Sequence, residues 1–342
     1  MSDTQRVAEV EARIETVRGL LHERGAGGVM LSTRHNFSWL TRGGVNHVLM
    51  ATRDGAVPLV VTSNQVMALA PTNEADRIAD EELLGLPIEV RPTPWHDDAA
   101  GRRIAEAEAG GALLHDGDLE AGLLPHRSRL GPVERERMVL LGRLAVSAAE
   151  AGLATVTSGD TETDAVAAMT QEVARHDARA PVVLAAADER IHRYRHPLPA
   201  GAAVRRRLML VLVVERWGLH AAVTRIRELE PPDEELARRN EAAAGILDAM
   251  HGTTRPGATL GDVLSAAQTA YRDSGFAHEW ELHHQGGSIG YQSRERIAVP
   301  GDATPIEPGM AFAWNPSITG AKAEETLLLL PDGEHLVVTR PD

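Results

Sequence analysis

Seven consecutive apolar residues, Leu208, Met209, Leu210, Val211, Leu212, Val213 and Val214, place the tightest constraint on this chain. The run is far too short to span a bilayer, which takes about 20 apolar residues. It also lacks the polar–apolar alternation of a strand with one wet face, so it reads as a strand covered on both faces. Helices with apolar residues at three- and four-residue spacing supply the cover, at residues 133–153, 162–175, 233–250 and 260–273. Pro231-Pro232 and the acids after them open the third, and Gly275 stops the fourth. Strands are expected at 182–187, 279–284, 310–314, 325–330 and 335–339.

The front of the chain has a different texture. Val7, Val10, Ile14, Val17 and Leu21 mark an amphipathic helix over 5–24, ended by Gly25. Strand-type runs follow at 28–32, 45–52 and 57–62, the last two split by Arg53-Asp54-Gly55. A helix is expected over 63–84, then a strand at 88–91, a charged helix around 97–110 and a strand at 112–115. This divides the chain into an α/β domain at 1–116, a linker at 117–130 and a second domain at 131–342. A length of 342 residues accommodates two domains.

Composition excludes whole classes of function. With 35 Lys and Arg against 49 Asp and Glu, the formal charge is −14, the wrong sign for a duplex nucleic-acid binder or a polybasic membrane anchor. No apolar run reaches 18 residues, and the first residues lack a basic-then-apolar signal pattern, so a cytoplasmic protein without membrane partners is expected. The absence of cysteine excludes disulfides, thiolate nucleophiles and Cys-ligated metals. No glycine-rich loop follows a strand in the way phosphate binding requires, so no nucleotide cofactor is expected. Among the 35 basic residues Lys322 is the only lysine, either needed as a lysine, since the two cations differ in hydration and pKa range, or left there by chance.

Four fragments in order carry a family resemblance: Arg34-His35-Asn36-Phe37-Ser38-Trp39-Leu40, Gly218 through Val223-Thr224-Arg225, Gly286-Gly287-Ser288-Ile289-Gly290, and Gly309-Met310-Ala311-Phe312 with Glu324-Glu325-Thr326-Leu327. Together they resemble the creatinase/aminopeptidase P superfamily. The implied fold is an α/β N-terminal domain followed by an α+β pita-bread (creatinase/aminopeptidase-like) C-terminal domain. The first fragment looks like the family's early strand. Metallopeptidases of this family hold two metal ions with two Asp, one His and two Glu, hard ligands suited to divalent cations that activate water. In this sequence the matching positions are Val211, Ala222, Gly287 and Asn315, and only Glu324 survives. The resemblance therefore implies no metal ligands and no cofactor, unless Glu215 with His192, His196, His220, His283 and His284 rebuilds a site.

Creatinase keeps this fold without metals and hydrolyses a small guanidino substrate with a histidine and glutamates. The resemblance implies His196 as acid–base and Glu324 as its partner, a role suited to an imidazole that exchanges protons near neutrality. Creatinase's hairpin glutamate is matched by Thr224, so creatine itself is not the expected substrate. Arg294 stands where metallopeptidases tend to have a second histidine and suits a carboxylate. His283, His284, Asn315, Lys322, Tyr291 and Trp217 complete the expected substrate contacts, with one of His283 and His284 facing the pocket because strand neighbours alternate. The expectation is metal-independent C–N hydrolysis of a small carboxylate-bearing molecule, in a homodimer as the resemblance implies. A lyase, isomerase or cyclase, a non-catalytic binding protein and an Xaa-Pro aminopeptidase with a rebuilt metal site are the alternatives.

Overall fold

The apolar run lies at the centre of strand Arg207–Arg216, whose first nine residues are all buried. In the computed structural model, which describes residues 3–340 except Thr155, this strand is the middle of a three-stranded antiparallel sheet between Arg179–Ala187 and Leu219–Glu228. Helices Pro132–Ala154 and Glu162–Arg175 pack on it. A capping box between Thr161 and Asp164 fixes the start of the second helix, satisfying its first free N–H groups. A second sheet runs in the order Arg296–Ile297, Gly286–Ile289, Ala311–Trp314, Glu325–Leu329 and His335–Val337, antiparallel throughout. Helices Glu234–Thr253 and Leu260–Asp273 cover it through Ile246, Met250, Leu264 and Tyr271 against Phe312, Trp314 and Leu327. Asp233 caps the first of these helices, and Thr259 with Asp262 boxes the second.

The two sheets meet along strand Leu219–Glu228. His220 N–H donates to the Gly290 carbonyl, Ala222 N–H to Thr326 Oγ1, and Thr224 N–H to the Glu324 carbonyl. These bonds bring Ala222 and Thr224 beside the segment that carries Glu324 and Thr326.

The chain divides into two compact units, residues 1–127 and 128–342. In the first, a five-stranded mixed sheet has the order Glu89–Thr93, Val66–Pro71, Asp54–Thr62, Gly28–Thr33 and Leu113–His115. Its buried polar centre is Asp116, whose carboxylate accepts from Ser32 N–H at 2.7 Å, Thr33 Oγ1 at 2.5 Å and Asn36 Nδ2 at 2.8 Å. Among the described residues no helix is long and apolar enough to cross a membrane.

Several local expectations need correction. The linker expected at 117–130 is mostly helix: Asp116–Ser128 buries Leu119 and Leu123 one turn apart, despite Gly117, Gly122 and Pro125. The 34–40 fragment is a buried helix, Arg34–Thr41, which brings Asn36 to Asp116. Residues 66–71 form a strand, not part of a helix, because an uninterrupted apolar run carries no period to distinguish the two. No strand forms over 45–52; there the Asn46 side chain donates to the Val57 carbonyl. Glu279–Leu282 is a 3₁₀ turn rather than a strand.

Candidate active site

His196 follows the short helix Glu189–Arg193, and the Pro197 carbonyl beside it accepts from Ala185 N–H on the central sheet. Arg195 pins the same loop: its guanidinium donates to Ser317 Oγ and Thr319 Oγ1 at 3.1 Å each and pairs with Glu279. Opposite it, the chain leaves the 3₁₀ turn with His283 extended. Gln285 holds this stretch from below, donating to the Trp280 and His283 carbonyls while accepting from Tyr271 Oη at 2.7 Å.

These supports bring three imidazoles together. His196 Nε2 and His283 Nε2 are 2.9 Å apart, a hydrogen bond in which one nitrogen donates. The rings of His283 and His284 stack at 4.5 Å, and one ring nitrogen from each of the three residues lies within 4.8 Å of the others. The expectation that only one of His283 and His284 faces the site therefore fails. The segment is not a regular strand, so its neighbours do not alternate.

Beside the imidazoles lies a buried ion cluster. Glu324 is 3% exposed and accepts from Thr224 Oγ1 at 2.6 Å, from Arg294 Nη2 at 3.1 Å and from Lys322 Nζ at 3.1 Å. The carboxylate thus serves two cations and a hydroxyl, while the ring nitrogen of His196 goes to His283; the expected His196–Glu324 pairing is not the one formed. Burial acts to raise the Glu324 pKa, but Lys322, Arg294 and the Thr224 hydroxyl outweigh it and hold the group down to about 2. The imidazoles shift the other way. Burial, then Lys322, lowers His196 and pushes His283 down to about 2, and burial, then Arg294, pushes His284 down to about 4. The centre therefore favours neutral imidazoles beside the Glu324 carboxylate and its basic partners.

Other expected contacts lie elsewhere. Tyr291 is buried and donates to Glu134 Oε1 at 2.8 Å, a scaffold contact. Trp217 sits at the tip of the 207–228 hairpin with φ +57°, flanked by Arg137 and Arg216, in a separate groove of about 300 Å³ beside Leu140 and Leu144. Asn315 follows strand Ala311–Trp314, its N–H given to the Gln285 carbonyl and its side-chain oxygen buried without a partner among the described residues. Thr224 and Arg195 were not expected. Thr224 was legible as the cross-strand partner of Val211, but its bond to Glu324 spans 100 residues. Arg195 acts only through contacts about 84 to 124 residues away in sequence.

The residues do not fit a paired-metal centre. Val211 faces Thr224 across the hairpin and Val213 faces Ala222, so Val211, Ala222 and Thr224 share the face turned to Glu324. Two of those three side chains are apolar and buried. At Gly287 a histidine has no room: a Cβ there would collide with the Arg296 carbonyl of the strand paired beside it. Glu215 does not compensate, since it faces Arg179 at 3.4 Å, and His220 Nδ1 contacts the Gly290 carbonyl. His192 packs beneath Gly320 instead. Of the residues considered for a rebuilt site, His196, His283 and His284 alone form a ligand group among the described residues.

Comparison with known proteins agrees with this architecture. The fold is similar to that of the prolidase from Pyrococcus horikoshii OT3, with a TM-score of 0.82, 14% identity and coverage of 97% of this chain and 99% of that one. It is also similar to the dipeptidase PepE from Mycobacterium ulcerans, with a TM-score of 0.80, 17% identity and coverage of 98% and 97%. In sequence, 125 residues are 30% identical to a probable dipeptidase PepE of Mycobacterium bovis, covering 34% of this chain and 32% of that protein. The match thus spans about a third of the curated relative's length. Metallopeptidase family M24 matches residues 136–331, more than half of the chain and most of its second unit. The pita-bread fold, built around the 207–228 hairpin and the Glu324 segment, is that family's, and the chain belongs to metallopeptidase family M24.

Proposed function

We propose that this M24 protein hydrolyses a C–N bond in a small, polar, carboxylate-bearing molecule without the paired metals of its family. The observation that carries this reading is the Lys322–Glu324–Arg294 cluster, which answers the one surviving family carboxylate with two side-chain cations. Fixed cations in a buried site favour an anionic group on the substrate. The His196–His283 pair supplies proton transfer. His196, the more exposed of the two, takes a proton from water as the oxygen attacks and returns it to the departing nitrogen, while the bond to His283 sets which ring nitrogen carries it.

The names of the relatives make dipeptides the first substrates to assay, followed by amide- and guanidino-bearing acids. Protein stripped of metal by a chelator is expected to retain its turnover. His196→Ala is expected to lower kcat by a factor on the order of 10²–10⁴ while leaving the fold intact. Dipeptide cleavage that vanishes with the metal and returns with manganese or cobalt would refute the reading. The same reading expects a homodimer, which sedimentation velocity measures directly.

A further inference from the structure

Three imidazoles beside a carboxylate are the usual surroundings of a metal cation. In this chain a cation is already covalently present. Lys322 lies at the end of strand Ala321–Lys322 with its side chain 5% exposed and its Nζ 3.1 Å from Glu324 Oε2. It is also the charge that acts most strongly on His196 and His283. We propose that the Lys322 ammonium takes the place of a divalent ion, making the histidine trio a latent metal centre, with Glu324 as the neighbouring counter-charge, that the wild-type chain keeps closed. This rests on the metal-free reading above and goes beyond it by naming the group that keeps metal out.

The residue type fits the task. An ammonium is a compact point charge with three donors, whereas a guanidinium is a larger planar fork. Of the chain's 35 basic residues the one at this position is the only lysine. The ligand set is complete without it. The three ring nitrogens lie within 4.8 Å of one another, and bonds of about 2.0–2.1 Å to a tetrahedral ion would draw them to about 3.4 Å. His196 is exposed and on a loop, free to make that adjustment, at the cost of its bond to His283. His284 would likewise give up the weak 3.3 Å bond its Nδ1 accepts from Gly286 N–H, or bind through Nε2. Glu324 remains held by Thr224 and Arg294 when Lys322 is removed.

The test is cobalt(II) titration of the full-length chain, followed by its visible absorption and by calorimetry. Wild type is expected to show no saturable band. Lys322→Met is expected to bind one equivalent, on the order of 10² tighter than wild type or more, because a positive charge close to the ion has gone. The band is expected to disappear in Lys322→Met/His283→Ala. Lys322→Arg, which keeps the charge, is expected to stay closed. Lys322→Gln, which keeps a hydrogen bond to Glu324 without charge, is expected to open and serves if the methionine variant does not fold. If neither neutral variant binds, the latent centre is refuted while the metal-free reading stands. If wild type binds as tightly as the variants, both fall.

Discussion

Glu324→Gln tests whether the centre is as dry as its geometry indicates. The substitution preserves shape and removes one negative charge from between Arg294 and Lys322, each 3.1 Å away. Removing one partner of a buried ion pair costs about 3–5 kcal/mol, because the other is left uncompensated. Here two cations are orphaned together. The retained amide oxygen still accepts from Thr224. The expected loss is about 4 kcal/mol, a large part of a typical unfolding free energy of about 5–15 kcal/mol. Urea unfolding followed by tryptophan fluorescence and circular dichroism measures it. The double variant Glu324→Leu/Lys322→Met is expected to be more stable than Glu324→Gln, since a single cation is then left unpaired. A loss below about 1 kcal/mol for Glu324→Gln would show both cations hydrated in the folded protein, as at exposed pairs, and would refute the reasoning.

Three further outcomes follow from the packing. Gly287→Ala places a methyl against the Arg296 carbonyl, so separation of strand Arg296–Ile297 from Gly286–Ile289 and a clear drop in Tm are expected, read by thermal melting. Asp116→Ala strips the acceptor from Ser32 N–H, Thr33 Oγ1 and Asn36 Nδ2, and a loss on the order of 3 kcal/mol or more is expected in the first unit's unfolding transition. His251 is buried and its pKa is pushed down to about 4 by burial, against the pull of Glu325. The unfolded chain therefore binds a proton that the native state refuses, and stability is expected to fall as pH drops from about 6.5 toward 4 by about 3 kcal/mol. His251→Gln is expected to flatten that slope in denaturation curves taken across the range.

The parts of the fold that the sequence revealed are those where local pattern and burial agree. Glu162–Arg175 and Leu260–Asp273 carry helical period and caps together, and their limits match the reading residue for residue. Leu208–Val214 is apolar throughout because the strand is buried along this length between its two partner strands, with helices Pro132–Ala154 and Glu162–Arg175 packed on it. Misreadings fall where one signal stands alone. Val66–Pro71 is uniformly buried and so has no period, and Asp116–Ser128 contains glycines and a proline that mimic a loop. In the site, Lys322 and Glu324 stand two positions apart, so theirs is a contact that local spacing can suggest. The trio is not of that kind: His196 meets His283 only through the Arg195 clamp and the Gln285–Tyr271 support, contacts that no local pattern encodes.

The solitary lysine also makes the chain its own reporter. A protease that cuts only after lysine has a single target among 342 residues, the bond following Lys322. That bond lies where Ala323 N–H is given to the Pro316 carbonyl and the lysine head is held against Glu324. Cleavage therefore waits until this strand end comes free, and its rate under native conditions counts those openings one by one. Ligands that enter the centre will slow this clock, and they can be found by it before any reaction is known.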